Sequence, residues 1–219
     1  PFKAVAAGSL PVTISYLGRS GVETQNKELD VPEWDHIKQN YADQTRSDLS
    51  KLMEWSKLPE IGKLLLWHGP PGTGKTTAIR ALANQWRKWC SMNYIADPEK
   101  FINDPNYLMN VILRNGDDME FEEEEMPPEN KSKGQLIVLE DSGELIKADA
   151  KQEMGQGISR LLNMTDGIIG QGLPYMVLIT TNEEVGHLNE AVTRPGRCAA
   201  EIFFKTFNQS EIEEWASAN

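Results

Sequence analysis

The segment that most constrains how this chain can fold is GPPGTGKT at residues 69–76, because two different apolar patterns flank it. Residues 64–67 before it are Leu-Leu-Leu-Trp, a short apolar run typical of a strand buried on both faces. Residues 77–89 after it carry apolar side chains at helical spacing. Strand, glycine loop and helix in this order are the context in which such a loop binds phosphate. Residues 69–76 are called the phosphate loop below.

The phosphate loop satisfies every position of the pattern G-x-x-x-x-G-K-[ST]. Its glycines allow backbone N–H groups to turn inward around phosphates, and the following helix N-terminus adds partial positive charge. Lys75 is expected to neutralise the β- and γ-phosphates of a nucleotide, and the Thr76 hydroxyl to bind Mg²⁺. Thr77 extends the same turn as a helix residue. The predicted nucleotide-binding residues are Gly69, Pro70, Pro71, Gly72, Thr73, Gly74, Lys75, Thr76 and Thr77.

Two adjacent carboxylates, Glu140 and Asp141, follow the apolar run at residues 136–139. A phosphate loop requires an acidic residue at the end of a neighbouring strand to hold Mg²⁺. One carboxylate is expected to hold the metal, directly or through water, and the other to polarise the attacking water as a general base. The alternative interpretation is a polar strand end that enters a turn at Ser142 and Gly143.

Three further polar residues follow predicted core elements. Asn182 comes after the apolar run at residues 176–179, where its amide is expected to orient water and to contact the γ-phosphate. Arg194 and Arg197 flank a Pro-Gly turn just before the last apolar run, and rigidly held guanidinium groups suit bidentate phosphate contact. Taken alone, Asn182 is more typical of a turn, and its position after a predicted core strand, opposite the first two motifs, favours the functional role. Taken alone, the two arginines are equally typical of surface salt bridges.

The rest of the chain alternates short apolar runs with helical patterns, which predicts a parallel sheet covered on both faces. An alternating stretch at residues 12–16 predicts one or two edge strands, and helices are predicted from residue 34 onward. Residues 115–135 are acidic and contain proline, which favours a surface loop, or alternatively a docking site for a basic partner. The remaining predicted strands are 92–96 and 201–204, and the remaining predicted helices are 107–113, 153–165 and 187–193.

Composition excludes some functions. The formal net charge of −11 works against sequence-independent binding of nucleic acid, which depends on Lys and Arg. No apolar run approaches the roughly 20 residues that span a bilayer, so no membrane partner is expected. The two cysteines, Cys90 and Cys198, lack a metal-binding spacing and are expected to be reduced thiols, which favours a cytoplasmic location. Because the chain begins at Pro1, it is expected to be a fragment or a processed form.

Taken in order, GPPGTGKT, LIVLED, VLITTN and LNEAVTRPGR resemble the AAA family of ATPases, as Walker A, Walker B, sensor 1 and the arginine-bearing second region of homology. The resemblance runs from about Trp34 to Phe204. It implies a P-loop NTPase three-layer α/β sandwich, with a parallel five-stranded sheet in the order 5-1-4-3-2. It also implies ATP and Mg²⁺ as cofactors, bound at the subunit boundaries of a ring that is usually hexameric. Arg194 then corresponds to the principal finger given to the neighbouring subunit, Arg197 to its second arginine and Asn182 to the sensor.

The resemblance also implies a division of the chain. Residues 34–206 correspond to the ATPase core, after an N-terminal strand-like segment or linker at residues 1–33. Residues 207–219 correspond to the start of a C-terminal helical lid, whose sensor 2 arginine is not in this sequence.

Two departures from the family pattern affect the predicted roles. The usual Walker B motif ends in Asp-Glu, whereas Glu140-Asp141 places the longer side chain at the metal position and the shorter at the base position. No aromatic-hydrophobic-glycine pore loop follows the second strand of the core. Residues 97–102 read Asp-Pro-Glu-Lys-Phe-Ile, which leaves Phe101 as a weak candidate for gripping a substrate.

The leading hypothesis is an ATP hydrolase that remodels a protein client as a homo-oligomeric ring. A second hypothesis is a nucleotide-gated scaffold that binds ATP and hydrolyses little, motivated by the reversed carboxylates. A third is a DNA-processing motor, which the acidic net charge disfavours.

Overall fold

The computed structural model describes residues 6–113, 134–146, 157, 159–164, 172–183 and 196–218. The strands are β1 Ala6–Leu17, β2 Val22–Pro32, β3 Leu64–His68, β4 Cys90–Ile95, β5 Gly134–Leu139, β6 Tyr175–Thr181 and β7 Cys198–Phe203. The helices are α1 Trp34–Ile37, α2 Asp43–Met53, α3 Lys75–Trp86, α4 Pro98–Asn103, α5 Pro105–Leu113, α6 Gly143–Ile146 and α7 Gln209–Ala218, and a 3₁₀ turn spans Lys38–Asn40. Residues 159–164 are also helical.

The strands form one sheet in the order β2-β1-β4-β5-β6-β3-β7. β1 and β2 pair antiparallel as a hairpin, and β1 pairs parallel with β4. The prediction of five strands in the order 5-1-4-3-2 is therefore wrong for the sheet as a whole, because the hairpin adds two strands beyond β4. The strands from β3 to β7 pair in parallel among themselves and lie in the order β4-β5-β6-β3-β7.

Helices cover both faces of the sheet. Successive side chains of each strand point to opposite faces, so each strand contributes to two core clusters. Leu65 and Trp67 belong to one core cluster, which contains the buried side of α3. Leu64 and Leu66 belong to the other cluster, which contains residues of α4 and α5. Every residue of β3, β5 and β6 is buried, as expected of central parallel strands. The predicted α/β sandwich with helices on both faces is confirmed.

Phe101 lies in the second of these clusters. Its side chain is fully buried and meets the ring of Tyr107 edge to face, with 5.2 Å between ring centroids. The interpretation of Phe101 as a substrate-gripping residue is therefore wrong, since in this chain it fills the core between α4 and α5. Phe101 and Ile102 are the two buried residues through which α4 packs into the core.

Helix α7 packs beside the 3₁₀ turn and the first residue of α2. The indole Nε1 of Trp215 donates to Asn40 Oδ1 over 3.1 Å, and the backbone N–H of Asp43 donates to Glu211 Oε1 over 2.8 Å. These contacts hold α7 against the amino end of α2. Among the described residues, no helix combines the length and the apolar character that crossing a membrane requires.

Candidate active site

The phosphate loop connects β3 to α3, and its three glycines, Gly69, Gly72 and Gly74, all have a positive φ. Gly69 has a φ of 141°, and a Cβ there would lie 2.4 Å from the carbonyl oxygen of Phe204. Gly74 has a φ of 90° and is the N-cap of α3, so the first N–H groups of that helix lie at the end of the loop. The Thr73 hydroxyl donates to the carbonyl of Pro70 over 2.8 Å and closes the turn between them.

Lys75 is the first residue of α3, and its side chain folds back into the loop. The residue is only 8% exposed. Its ammonium Nζ donates to the Gly69 carbonyl over 2.7 Å, the Pro70 carbonyl over 3.1 Å and Asn182 Oδ1 over 2.8 Å. Burial lowers the pKa of Lys75, and the nearby carboxylates of Asp141 and Glu140 oppose that shift. The side chain therefore places one positive charge at the centre of the loop.

Asn182 connects Lys75 to Asp141. While its Oδ1 accepts from the lysine, its Nδ2 donates to Asp141 Oδ1 over 2.9 Å. Parallel pairing explains this meeting, since Trp67 pairs with Thr180 and the carboxyl ends of β3, β5 and β6 share one sheet edge. These three side chains form a continuous hydrogen-bonded path, called here the Lys75–Asn182–Asp141 chain.

Asp141 has an unusual backbone. Its φ of 54° is the only positive value among the non-glycine residues that the structure describes. Its N–H donates to the Thr180 hydroxyl over 2.9 Å, which ties the end of β5 to β6. Left-handed conformations at non-glycine residues cost energy and cluster at functional sites. The strain lies at the carboxylate that the sequence predicts as general base.

Thr76 and Glu140 meet beside this chain. The Thr76 hydroxyl donates to Glu140 Oε1. Two oxygen ligands at one place suit a hard cation such as Mg²⁺, which proteins hold through one or two carboxylates together with substrate phosphates. Within the described parts of the chain, no group of three or more His, Cys, Asp and Glu side chains could hold a metal by itself. The donor set therefore fits a shared rather than an all-protein metal site.

The other predicted residues of the phosphate loop lie on its outer side. Pro70, Pro71 and Gly72 are exposed, and Thr77 is partly buried in the first turn of α3. The predicted helix start at Thr77 was thus two residues late, because α3 begins at Lys75.

Of the two predicted arginines, the structure describes only Arg197. Arg194 lies outside the described residues. Arg197 precedes β7, and its carbonyl accepts from the N–H groups of Lys63 and Leu64, each over 3.2 Å. Leu64 is the first residue of β3, whereas the phosphate loop follows its last residue. The Arg197 backbone is therefore held at the opposite end of β3 from the loop of the same chain.

Three other predictions concern residues only partly described. The predicted helix 187–193 lies outside the described residues, as do residues 153–156, 158 and 165 of the helix predicted over 153–165. Most of the acidic segment also lies outside them. The boundary predicted for that segment was wrong at one end, because Gly134 and Gln135 belong to β5.

Sequence reasoning missed two residues beside the loop. His68 ends β3, is buried and stacks on the Phe203 ring, with 5.0 Å between centroids. Its Nε2 lies 3.3 Å from Glu201 Oε1, within ion-pair distance but without hydrogen-bond geometry. The second residue, Tyr41, donates its hydroxyl to the Gly74 carbonyl over 3.0 Å. Neither contact leaves a local sequence signal, since the partners lie 133 and 33 positions away.

Burial is the main influence on the ionisation of His68. It lowers the pKa of the imidazole, because the charged form loses hydration, and the carboxylate of Glu201 opposes this shift. The positive charge of Lys75 acts in the same direction as burial.

The sequence of this chain matches a family of known proteins. Residues 65–206 match the family described as "ATPase family associated with various cellular activities (AAA)". Protein CdcH of Halobacterium salinarum is 30% identical over 148 residues, which cover 66% of this chain and 18% of that protein. AAA-ATPase At3g28570, mitochondrial, of Arabidopsis thaliana is 32% identical over 163 residues, which cover 67% of this chain and 32% of that protein. The chain thus spans between about a fifth and a third of these relatives.

A solved structure has the same fold. A chain in the E. coli MS115-1 HORMA:CdnC:Trip13 complex superimposes with a TM-score of 0.53 at 19% identity, covering 73% of this chain and 54% of that one. At this identity the likeness concerns the fold alone. The family match covers more than half of the chain and contains both the phosphate loop and the Glu140-Asp141 strand end. This chain belongs to the AAA family of ATPases.

Proposed function

We propose that this chain is the ATPase core of an AAA protein that binds Mg-ATP at the phosphate loop and hydrolyses it to remodel a protein client. The observation that carries the proposal is the Lys75–Asn182–Asp141 chain, which links a cation, an amide and a carboxylate by hydrogen bonds of 2.8 and 2.9 Å. A cation that neutralises phosphate, an amide that orients water and a carboxylate that accepts its proton are the groups that phosphoryl transfer to water requires.

Each of the three residues in the Lys75–Asn182–Asp141 chain has a distinct proposed role. Lys75 binds the β- and γ-phosphates through donors that already point into the loop. Asn182 orients the attacking water, and its position is set by hydrogen bonds to residues on both sides. Asp141 accepts the proton of that water, since its carboxylate lies at the same strand end. The backbone N–H groups of residues 69–76 surround the phosphates.

Thr76 and Glu140 are the residues that would hold Mg²⁺ in this proposal. When bound, the ion would neutralise negative charge on the phosphates. The contact of the Thr76 hydroxyl with Glu140 Oε1 already places both oxygens together.

The second half of the proposal is a ring in which Arg194 and Arg197 act on ATP held by the neighbouring subunit. β3 has five residues, so its ends are on the order of 13 Å apart at about 3.3 Å per residue. The Arg197 backbone lies at the end remote from its own loop, which supports a role toward another subunit. In this arrangement residues 34–206 form the ATPase core, residues 1–33 precede it and residues 207–219 begin the lid. The partners would be ATP or ADP, further copies of the chain and a protein client.

One observation favours a second candidate function, a scaffold that binds ATP and hydrolyses it slowly. The base position is held by the shorter carboxylate, Asp141, on a left-handed backbone. Such a protein would keep the residues that bind ATP and turn it over slowly.

The two reversed carboxylates supply the test of the proposed function. Asp141→Asn should leave labelled ATP bound and reduce steady-state phosphate release about 100-fold or more, because a general base contributes about 10² to 10⁴ in rate. Glu140→Gln should instead weaken ATP binding in the presence of Mg²⁺ and leave binding in EDTA unchanged. Asp35→Asn serves as the control, since Asp35 is an exposed carboxylate on α1.

The outcomes separate the candidate functions. Interchanged phenotypes would show that Glu140 is the base and Asp141 the metal ligand. Wild-type protein that binds ATP in assembled form but releases no phosphate would contradict hydrolysis and favour the scaffold.

A further inference from the structure

Tyr41 lies in the segment between the 3₁₀ turn and α2, and its side chain contacts the phosphate loop. Its side chain is 4% exposed, and its hydroxyl donates to the Gly74 carbonyl over 3.0 Å. Gly74 is the N-cap of α3 and immediately precedes Lys75. The phenol thus contacts the peptide group that connects Gly74 to Lys75 within the loop.

The ring of Tyr41 also restricts what can occupy position 74. A Cβ at Gly74 would lie 3.0 Å from Tyr41 Cε1 and 3.2 Å from its hydroxyl oxygen, and the φ of 90° already disfavours other residues. The Gly74 carbonyl accepts a second hydrogen bond, from the N–H of Ala78 over 2.9 Å. Loss of the Tyr41 hydroxyl would therefore leave no unpaired carbonyl, and its effect on folding should be small.

The surroundings hold Tyr41 in one place. Its ring contacts Trp34 and Phe204, with centroid distances of 5.5 and 6.0 Å. Burial raises its pKa above the ordinary value for tyrosine, so the hydroxyl keeps its proton and remains a donor at neutral pH. The aromatic core thus presents a fixed donor to the loop.

The backbone that follows Tyr41 is fixed as well. Two residues on, the N–H of Asp43 donates to Glu211 of α7 over 2.8 Å. The hydroxyl of Thr45 donates to the Phe203 carbonyl at the end of β7 over 2.9 Å. Residues 41–45 therefore connect the phosphate loop to both β7 and α7.

We propose that Tyr41 is a positioning residue for the phosphate loop. Its hydroxyl fixes the Gly74 peptide so that the loop N–H groups and Lys75 keep the arrangement that receives phosphate. A loop that is already ordered binds more tightly, because the apparent dissociation constant rises as the competent fraction falls. The inference rests on the proposed nucleotide site and adds a residue outside the motifs that define it.

Tyr41→Phe tests the inference, since it keeps the ring and removes only the donor. We expect titration with labelled ATP to give a dissociation constant about three- to tenfold higher, the size of one lost hydrogen bond. Hydrogen exchange of the amides in residues 72–76 should be faster in the nucleotide-free variant. The melting temperature should stay within a few degrees of wild type, because Ala78 still bonds the Gly74 carbonyl.

Tyr107→Phe is the matched control. Tyr107 is fully buried, and its hydroxyl donates to Asp97 Oδ1 over 2.9 Å in the core cluster on the other face of the sheet. This variant should lose stability and keep wild-type ATP affinity and loop exchange. Equal weakening in both variants would assign the effect to general destabilisation and overturn the inference.

Three further results are decisive. Unchanged affinity and loop exchange in Tyr41→Phe would overturn the positioning role, and so would failure of that variant to fold, since the ring alone should support the fold. Lys75→Ala, measured alongside, separates the two proposals. If Lys75→Ala binds ATP as tightly as wild type, the nucleotide site itself is wrong; if it does not bind while Tyr41→Phe binds normally, only the inference about Tyr41 fails.

Discussion

At the scale of single residues, the order Glu140-Asp141 has a physical explanation in the backbone. Asp141 has a φ of 54°, in the left-handed region. Aspartate tolerates this region better than glutamate does, because its short side chain can form local hydrogen bonds. The reversed Walker B pair thus places the shorter carboxylate at the left-handed position, where aspartate is better tolerated than glutamate. Its Oδ1 remains bonded to Asn182 at 2.9 Å.

His68 leads to a prediction about pH. Burial lowers its folded-state pKa below the unfolded value of about 6.5, against the opposing effect of Glu201. The unfolded state therefore takes up the proton first as the pH falls, and stability decreases from about pH 6.5 down to the folded pKa. His68→Gln should reduce the fall in melting temperature over this range, measured by thermal melts at a series of pH values.

His36→Gln is the control for that series, because His36 is an exposed histidine on α1. It should keep the wild-type pH dependence. Identical slopes for wild type and His68→Gln below pH 6.5 would show that His68 does not limit acid stability.

At the scale of elements, the apolar runs located the core of the sheet. Residues 64–67 and 176–179 were predicted as strands, and they lie within β3 Leu64–His68 and β6 Tyr175–Thr181. These strands are buried on both faces, so their sequences are continuously apolar and easily recognised. The polar residues that follow these strands lie close together, because the carboxyl ends of neighbouring parallel strands meet at one edge of the sheet. Lys75, Glu140 and Asn182 were brought together for this reason.

The hairpin was predicted only in part: the alternating stretch at residues 12–16 lies in β1, and β2 had no signal of its own. Nine residues of β2, from Val22 to Asp30, are exposed or partly exposed, so they carry little apolar alternation. Pairing with β1 over the full length of the strand defines β2 as a strand, and that pairing is not encoded in a local pattern. The same holds for Tyr41 and Gly74, which lie 33 positions apart in sequence and meet through the packing of α3 against the helices before it.

At the scale of the whole molecule, the proposed ring requires each ATP site to be completed by a neighbour. Arg197 is held at the remote end of β3, and the described residues supply no arginine to the Lys75–Asn182–Asp141 chain. An arginine placed in trans would stabilise charge on the transferring phosphoryl group, a contribution of about 10³ to 10⁵ in rate.

A mixing experiment tests the trans role of Arg194. Arg194→Ala and Lys75→Ala should each be nearly inactive in phosphate release. In a mixture, the intact Arg194 of the Lys75→Ala protein can face the intact phosphate loop of the other, so part of the activity should return. Mixed assemblies that form without recovered activity, together with wild-type turnover by Arg194→Ala alone, would contradict the intersubunit role.

Equilibrium titration of labelled ATP into wild type, Lys75→Ala and Lys57→Ala determines whether residues 69–76 bind the nucleotide. Lys57 is 81% exposed, so Lys57→Ala is the control for losing one lysine outside the phosphate loop. We expect saturable binding to wild type and Lys57→Ala. Lys75→Ala should bind at least about tenfold more weakly, since a charge-assisted hydrogen bond is worth about 1.5 to 3 kcal/mol. Equal affinity of Lys75→Ala and wild type would show that residues 69–76 are not the nucleotide site.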